Sequence, residues 1–269
     1  MRRGLALVGD SRIATSASPA IHDAIFGAGI YRLIADDDAG RAFAVAEADR
    51  RGINVTAPHK LAAAARYATV LDDAAVRTGA VNTVVYADDG RAILASNTDV
   101  EGLKVAWRRA SVGLEGRRVA VIGAGGAARA AVVAAADAGA RDVVLHARCR
   151  DAAASLVSLA ASVGLNGALA DADVVPADLV VIAASELDDV DAWLGRAIGA
   201  TGVVHDLRYG RRAVAARNAA LRRGLLFLDG ASMLLAQALA AAALFSGGPI
   251  DEAARARATA ALAAMLHGA

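Results

Sequence analysis

The sequence predicts an α/β fold that is divided into two α/β domains. Two observations carry this prediction. Short apolar runs alternate with Ala-rich helical stretches along the chain, and a glycine-rich turn follows one of these runs near the middle. Strands that alternate with helices are typical of parallel sheets with right-handed crossovers. With 269 residues, 57% of them hydrophobic, the chain is long enough to bury two cores.

Nine apolar runs are predicted to form strands. In chain order they are residues 4–9, 31–35, 52–56, 80–86, 118–123, 142–147, 178–184, 202–207 and 225–230. A helix is expected to begin near Pro19, and another to cover residues 100–111. The final stretch has an acidic start and a Gly after its last periodic residue, which predicts a closing helix. A fresh strand and a glycine-rich turn follow residues 100–111, so we place a domain break near residue 102.

Composition excludes several classes of protein. The 29 basic and 28 acidic residues are interspersed and give a net charge of +1, which argues against a nucleic-acid-binding surface. The longest apolar run, residues 233–245, is too short for a membrane span and is interrupted by Gln237. The single cysteine, Cys149, cannot form an intramolecular disulfide, and no Cys/His spacing indicates a metal site. We therefore expect a cytoplasmic protein without a metal.

The turn in "VAVIGAGGAARAA" has the pattern of a dinucleotide-binding loop. Gly123, Gly125 and Ala128 follow a predicted strand and open a predicted helix. In such loops the first Gly makes the tight turn, the second admits the pyrophosphate, and the third small residue packs helix against strand. The alternative is a glycine turn with a purely structural role.

The end of the next predicted strand indicates which dinucleotide binds. An NAD site carries an Asp or Glu about 20 residues after the glycines. Here the segment reads "LHARCR", with Arg148 and Arg150 where a 2′-phosphate would lie, which favours NADP. The alternative is that both arginines are simply solvated on a loop.

Four polar clusters punctuate the first hundred residues, at 16–26, 54–60, 79–83 and 97–102. Each follows or ends an apolar run, and ligands of parallel α/β sheets bind at the carboxyl ends of the strands. Ser16 and Ser18 could hold a carboxylate or could cap the helix near Pro19. Lys60 is one of only two lysines in this arginine-rich chain, and lysine, unlike arginine, can give up its proton.

These clusters resemble the motifs of the shikimate dehydrogenase family along nearly the whole chain. The matching elements are "SASPAIH", "NVTAPHK", "GAVNT", "NTDVEG", "GAGGAARA" and "DGASMLLAQA". The resemblance implies two α/β domains with the active site in the cleft between them, and reduction of 3-dehydroshikimate to shikimate with NADPH. It also implies that residues 1–102 bind substrate, that residues 103–237 bind NADP, and that residues 238–269 return to the first domain. We expect a monomer or homodimer.

The resemblance also implies a role for each matching residue. Lys60 and Asp99 would be the catalytic pair, Ser16 and Ser18 would hold the substrate carboxylate, and Tyr209 would lie near the substrate. The ring hydroxyls would be bound by Thr56, Asn82, Gln237 and Asp99. The cofactor would be contacted by Gly123, Ala124, Gly125, Gly126, Ala127, Arg148 and Arg150, and by Asp73 and Gly230.

The chain departs from the family's motifs mainly in the predicted cofactor half. The family's N-R-T reads Ala147-Arg148-Cys149, its N-A-T-P-x-G-M reads "IAASELDD", and the Asn expected after His22 is Asp23. Two other functions stay open: a paralogue acting on quinate or aminoshikimate, and a non-catalytic nucleotide-binding protein. Asn82 could also be a turn former, Asp99 a helix cap and Gln237 a polar break on a packed helix.

Overall fold

The structure is a computed structural model that describes residues 4–170 and 176–267. It confirms the α/β class. The helices are α1 (Ser18–Phe26), α2 (Ala39–Asp49), α3 (Lys60–Arg66), α4 (Asp73–Thr78), α5 (Asp99–Arg109), α6 (Gly126–Asp137), α7 (Arg150–Ser162), α8 (Val190–Ala197), α9 (Val214–Arg222), α10 (Ala231–Ser246) and α11 (Glu252–His267). The strands are β1 (Gly4–Gly9), β2 (Tyr31–Ala35), β3 (Arg50–Val55), β4 (Thr83–Tyr86), β5 (Ala92–Ser96), β6 (Arg118–Ile122), β7 (Asp142–His146), β8 (Asn166–Leu169), β9 (Ala177–Ile182), β10 (Ile198–Asp206) and β11 (Leu226–Leu228).

The chain forms two compact units. Unit 1 comprises Met1–Gly102 and Leu235–Ala269, and unit 2 comprises Leu103–Leu234. The chain enters unit 2 within α5 and leaves it within α10. Unit 1 resumes at Leu235 rather than at residue 238, so Gln237 belongs to unit 1.

Unit 1 contains a five-stranded sheet with the order β2-β1-β3-β4-β5. β1 pairs in parallel with both β2 and β3, whereas the pairings of β4 with β3 and with β5 are antiparallel. The antiparallel part differs from simple strand–helix alternation. β4 and β5 form a hairpin whose connection contains Asp89-Gly90, a strong turn signal. β5 was not among the predicted strands, and the predicted strand 80–86 begins only at Thr83.

This topology brings the polar clusters of unit 1 to one edge of the sheet. β1, β3 and β5 all end at this edge, and β4 begins there because it runs opposite to its neighbours. The segments after β1, β3 and β5, and the segment before β4, therefore lie side by side. Below this edge the sheet and its helices bury a core that includes Phe43, Ile53 and Val84.

Unit 2 contains a six-stranded parallel sheet with the order β11-β10-β9-β6-β7-β8. The strand order reverses at β6, whose two neighbours are β7 and β9. Ligands of doubly wound sheets bind outside the carboxyl ends of strands at such a reversal. β8 was also not predicted, because "NGAL" lacks β-branched and aromatic residues.

In the described part of the chain, no helix is long and apolar enough to cross a membrane. The same residues contain no group of three or more His, Cys, Asp or Glu side chains that could hold a metal ion.

Candidate active site and dinucleotide-binding turn

Lys60 and Asp99 form a buried ion pair in unit 1. Lys60 is the first residue of α3 and Asp99 the first residue of α5, and their Nζ and Oδ2 atoms lie 2.5 Å apart. The two side chains are only 12% and 5% exposed. An ion pair in this position is shielded from the water that weakens surface pairs. A lysine and a carboxylate are thus held in direct contact, as a proton-transferring pair requires.

The other carboxylate oxygen of Asp99 is held by Asn82. Asn82 Nδ2 donates to Asp99 Oδ1 over 2.8 Å. The orientation of the Asn82 amide is not arbitrary, because its Oδ1 accepts from the backbone N–H of Thr98 over 2.8 Å. A backbone N–H can only donate, so the amide oxygen must face Thr98 and the amide nitrogen must face Asp99. Asn82 is only 2% exposed, and its amide holds Asp99 Oδ1 inside unit 1.

Gln237 reaches the same group from α10. Its Oε1 lies 3.4 Å from both Asn82 Nδ2 and Thr98 Oγ1. The structure therefore brings Gln237 beside Asn82, although they are 155 positions apart in the chain. Thr56 lies just after β3, and its methyl group faces Gly9, where a side-chain Cβ would approach it to 2.7 Å. Thr56 Oγ1 makes no hydrogen bond to this group within the described residues.

The two serines lie next to each other at the start of α1. Ser16 Oγ and Ser18 Oγ are 3.2 Å apart, and Ser16 Oγ also accepts from the Ser18 N–H over 3.2 Å. The N-cap residue of α1 is Ala17, which has no side-chain capping bond. Neither serine is therefore the N-cap of α1, the alternative role that the sequence left open, although Ser16 Oγ accepts from the N–H of the first helical residue. Two adjacent hydroxyls can donate together to one carboxylate.

In unit 2 the glycine-rich turn has the expected geometry. Gly123 follows β6 with φ of +118°, and a Cβ there would lie 3.0 Å from the backbone of Ala183, so no other residue fits easily. Gly125 precedes α6, and a Cβ at this position would meet nothing within 4 Å. Space is thus open beside the Gly125 backbone, at the N-terminus of a 12-residue helix. Ala128 is fully buried, as a residue that packs the helix on the sheet must be. Ala124, Gly126 and Ala127 complete the turn and the first residues of the helix.

A cavity of about 450 Å³ lies at the carboxyl ends of β6, β7 and β8. Arg148 and Arg150 line it and are exposed, and no ion pair of either guanidinium occurs within the described residues. The described lining contains no Asp or Glu. A ribose 2′-hydroxyl would require such an acid, whereas a 2′-phosphate requires cations. The residues of this cavity therefore fit the phosphorylated adenosine end of NADP.

Three further candidate residues lie outside these two groups. Tyr209 follows β10 and precedes the short 3₁₀ helix Gly210–Ala213. Gly230 donates its N–H to Arg208 O over 2.9 Å, and a Cβ there would lie 2.1 Å from Leu207 O. Any side chain at position 230 would thus collide with the backbone of Leu207, which explains a glycine there without reference to the cofactor. Asp73 is 84% exposed on α4, where it pairs with Arg77 over 3.6 Å, and it has no bond to the Lys60–Asp99 group among the described residues.

Comparison with known proteins gives a consistent result. The family model described as "Shikimate dehydrogenase substrate binding domain" matches residues 7–84. A shikimate dehydrogenase (NADP(+)) from Sphingopyxis alaskensis is 37% identical over 262 residues, which cover 91% of this chain and 92% of the relative. The chain belongs to the shikimate dehydrogenase family.

Solved structures of this family share the fold. Shikimate dehydrogenase from Mycobacterium tuberculosis superposes with a TM-score of 0.80 at 30% identity, over 97% of this chain and 99% of that chain. Shikimate 5-dehydrogenase from Thermus thermophilus, solved in complex with NADP(H) and shikimate, gives a TM-score of 0.73 at 29% identity, over 97% and 100% of the two chains.

Three further residues of the shikimate dehydrogenase motifs, to which the sequence assigned no site role, support Asn82. Thr98 donates both its N–H and its Oγ1 to Asn82 Oδ1, and Thr83 Oγ1 donates to the same oxygen over 2.9 Å. Asn54 Nδ2 in turn donates to Thr83 Oγ1 over 3.0 Å. All three side chains are buried. A signal was available, because buried polar groups need partners and these residues lie inside the quoted motifs.

Asp23, which replaces the Asn expected in shikimate dehydrogenases, has a structural explanation. Its Oδ2 accepts from the Gly29 N–H and its Oδ1 accepts from the Tyr31 N–H, each over 3.0 Å. A carboxylate offers two acceptor oxygens, whereas an amide offers one. Asp23 therefore ties the end of α1 to the start of β2.

The segment that replaces N-A-T-P-x-G-M has a defined conformation here. It leaves β9 with Ala183 donating its N–H to Ile122 O over 2.8 Å, beside the glycine-rich turn. Asp189 has a left-handed φ of 46° and caps α8 by accepting from the Ala192 N–H over 3.1 Å. α8 follows this segment, and its Trp193 lines the cavity.

Proposed function

We propose that this chain catalyses the reversible, NADP-dependent reduction of 3-dehydroshikimate to shikimate, with Lys60 and Asp99 as the acid–base pair. The observation that carries the proposal is the buried contact between Lys60 Nζ and Asp99 Oδ2, with the second carboxylate oxygen fixed by Asn82. A protein that only binds nucleotides has no use for such a pair. Membership of the shikimate dehydrogenase family supports the substrate class.

Bound NADP would supply the hydride chemistry, because its reduced form donates a hydride and its oxidised form accepts one. For reduction, the carbonyl oxygen of the substrate must gain a proton as its carbon gains a hydride. Lys60 Nζ gives this proton as an ammonium, which leaves a neutral amine and prevents alkoxide charge from building up on the substrate. For oxidation, the neutral amine takes the hydroxyl proton and becomes the ammonium again. Asp99 keeps Nζ in position through both directions.

Substrate recognition is assigned to the polar edge of the unit 1 sheet. Ser16 and Ser18 donate to the ring carboxylate, and Thr56, Asn82, Gln237 and Asp99 bind the hydroxyls. The support is that Asn82, Asp99 and Gln237 already form one hydrogen-bonded group. Sites that hydrogen-bond a substrate hydroxyl reject analogues that lack it, because the buried groups are then left unpaired.

We assign cofactor binding to unit 2. Gly123 to Ala127 cradle the pyrophosphate, while Arg148 and Arg150 bind the 2′-phosphate. Tyr209 is placed near the substrate, and Asp73 and Gly230 near the cofactor, by their match to the family's motifs alone. We assign the protein to a reducing cytoplasm. Its one cysteine can form no intrachain disulfide, so the fold does not require an oxidising compartment.

A spectrophotometric screen tests the proposal. The purified chain is mixed with NADP or NAD and with shikimate, quinate or aminoshikimate, and the absorbance of the reduced nicotinamide is followed. We expect turnover with shikimate and NADP, and much less with NAD. Higher kcat/KM for quinate or aminoshikimate would identify a paralogue. Binding of NADPH without turnover of any of the three would identify a non-catalytic nucleotide-binding protein and refute the enzyme assignment.

A further inference from the structure

The cavity beside Arg148 and Arg150 has an aromatic wall that the family's motifs do not account for. Trp193 lies in the first turns of α8 and lines the cavity together with Leu187. Its ring is in T-shaped contact with His146, with centroids 4.0 Å apart and an interplanar angle of 78°. Trp193 is one of only two tryptophans in the chain.

The indole of Trp193 packs against the core of unit 2 but is not fully buried in it. Trp193 packs on the buried cluster of unit 2 and is itself only partly buried. The other tryptophan, Trp107, is 1% exposed and donates its Nε1–H to His205 over 3.0 Å, so it has a structural role. Trp193 therefore presents aromatic surface to a cavity whose rim carries two cations.

The two kinds of surface match the two parts of a phosphorylated adenosine. Arginines at the rim complement a phosphate through charge-assisted hydrogen bonds. An aromatic face complements a purine, and stacking on a nucleic acid base contributes enough to change binding by roughly one to two orders of magnitude when the aromatic is removed. The adjacent Ala147 and Cys149 offer no comparable side chains.

We propose that Trp193, held by His146, is the residue on which the adenine of NADP stacks, and that it is a determinant of cofactor affinity. This inference rests on the proposed NADP-dependent function. It explains how a chain whose N-R-T loop retains only its arginine keeps an adenosine site. Trp193 lies on α8, which follows β9, so its contact comes from the opposite side of β6 to that of Arg148 and Arg150, which follow β7.

Adenosine 2′,5′-bisphosphate is the probe, because it contains the base and the 2′-phosphate but no nicotinamide. Binding is measured by calorimetry and by intrinsic tryptophan fluorescence. We expect the bisphosphate to quench the wild-type protein. Trp193→Ala should weaken bisphosphate binding at least about tenfold. Trp193→Phe should keep most of the affinity and lose the fluorescence change, since the remaining Trp107 is buried elsewhere.

Leu221→Ala is the matched control, because Leu221 is a 56% exposed apolar residue of the same unit on α9. It should bind the bisphosphate as the wild type does. Wild-type affinity in Trp193→Ala, or calorimetric binding to wild type without any fluorescence change, would overturn the proposal. Normal bisphosphate binding with no turnover of shikimate would instead refute the proposed function and leave the role of Trp193 intact.

Discussion

Replacing Lys60 by arginine separates the charge of this residue from its proton. The ion pair should survive, because arginine keeps the positive charge and Asp99 Oδ2 remains available to it, while Asn82 still holds Oδ1. Arginine does not deprotonate in proteins, so it cannot exchange a proton with the substrate. The variant therefore removes one chemical capacity and leaves the electrostatics of the site nearly unchanged.

The burial of the pair sets the expected size of the effect. With the side chains only 12% and 5% exposed, water has little access to replace Lys60 as the proton donor. Loss of a general acid or base lowers turnover by roughly 10² to 10⁴. We expect kcat to fall at least about 100-fold, which corresponds to about 3 kcal/mol in activation free energy. KM for shikimate should change little, because the ground-state contacts are kept.

The assay is steady-state oxidation of shikimate with NADP, followed by absorbance. Lys104→Arg is the matched control, since Lys104 is the only other lysine and pairs with Asp137 in unit 2 over 3.1 Å. This control should retain normal kcat and KM. If Lys60→Arg turned over within about threefold of the wild type, Lys60 would be no more than a positive charge and the acid–base assignment would fail.

Three other predictions concern the cofactor, the substrate carboxylate and acid stability. Arg148→Ala should raise KM for NADP far more than KM for NAD; an unchanged preference would move the role to Arg150. The double variant Ser16→Ala/Ser18→Ala should weaken shikimate binding in calorimetry and leave NADPH binding intact, and equal losses of both would indicate a structural role. Burial lowers the pKa of His22 from 6.5 to about 3. Below pH 6.5 the unfolded state therefore binds more protons than the folded state, and the free energy of unfolding falls as the pH is lowered. From pH 7 to pH 4 this should remove on the order of 3 kcal/mol from the free energy of unfolding in urea titrations, and His22→Phe should show a correspondingly smaller loss.

Much of the site could be predicted because it depends on local pattern. The glycines of the dinucleotide turn follow a strand and open a helix. This order predicts that a pyrophosphate approaches the backbone at Gly125, where the structure has open space. Lys60 stood out because all but two of the 29 basic residues are arginine. The assignment of Asp99 needed the family resemblance, since a lone Asp at a helix start is equally a cap.

The hydrogen-bonded support of Asn82 could not be predicted in the same way, because it depends on long-range strand register. Asn54 meets Thr83 only because β3 and β4 are antiparallel with these two residues paired. Thr98 reaches Asn82 because β5 returns antiparallel to β4 and ends beside its start. Simple strand–helix alternation predicts parallel neighbours and so misses both contacts. The Asp89-Gly90 turn was the one local signal that would have revealed the hairpin.

The positions at which the chain passes between its two units have a practical consequence for protein engineering. Both crossings, after Gly102 and after Leu234, lie inside helices rather than in linkers. Cutting after Gly102 would sever α5 within a turn of Asp99 and would also discard Gln237, which lies in the returning segment. A fragment with the bounds of the substrate-binding family model, residues 7–84, would lack Asp99 altogether. Unit 1 is therefore not an N-terminal fragment, because it needs residues 235–269 and because any cut at its boundaries interrupts α5 or α10.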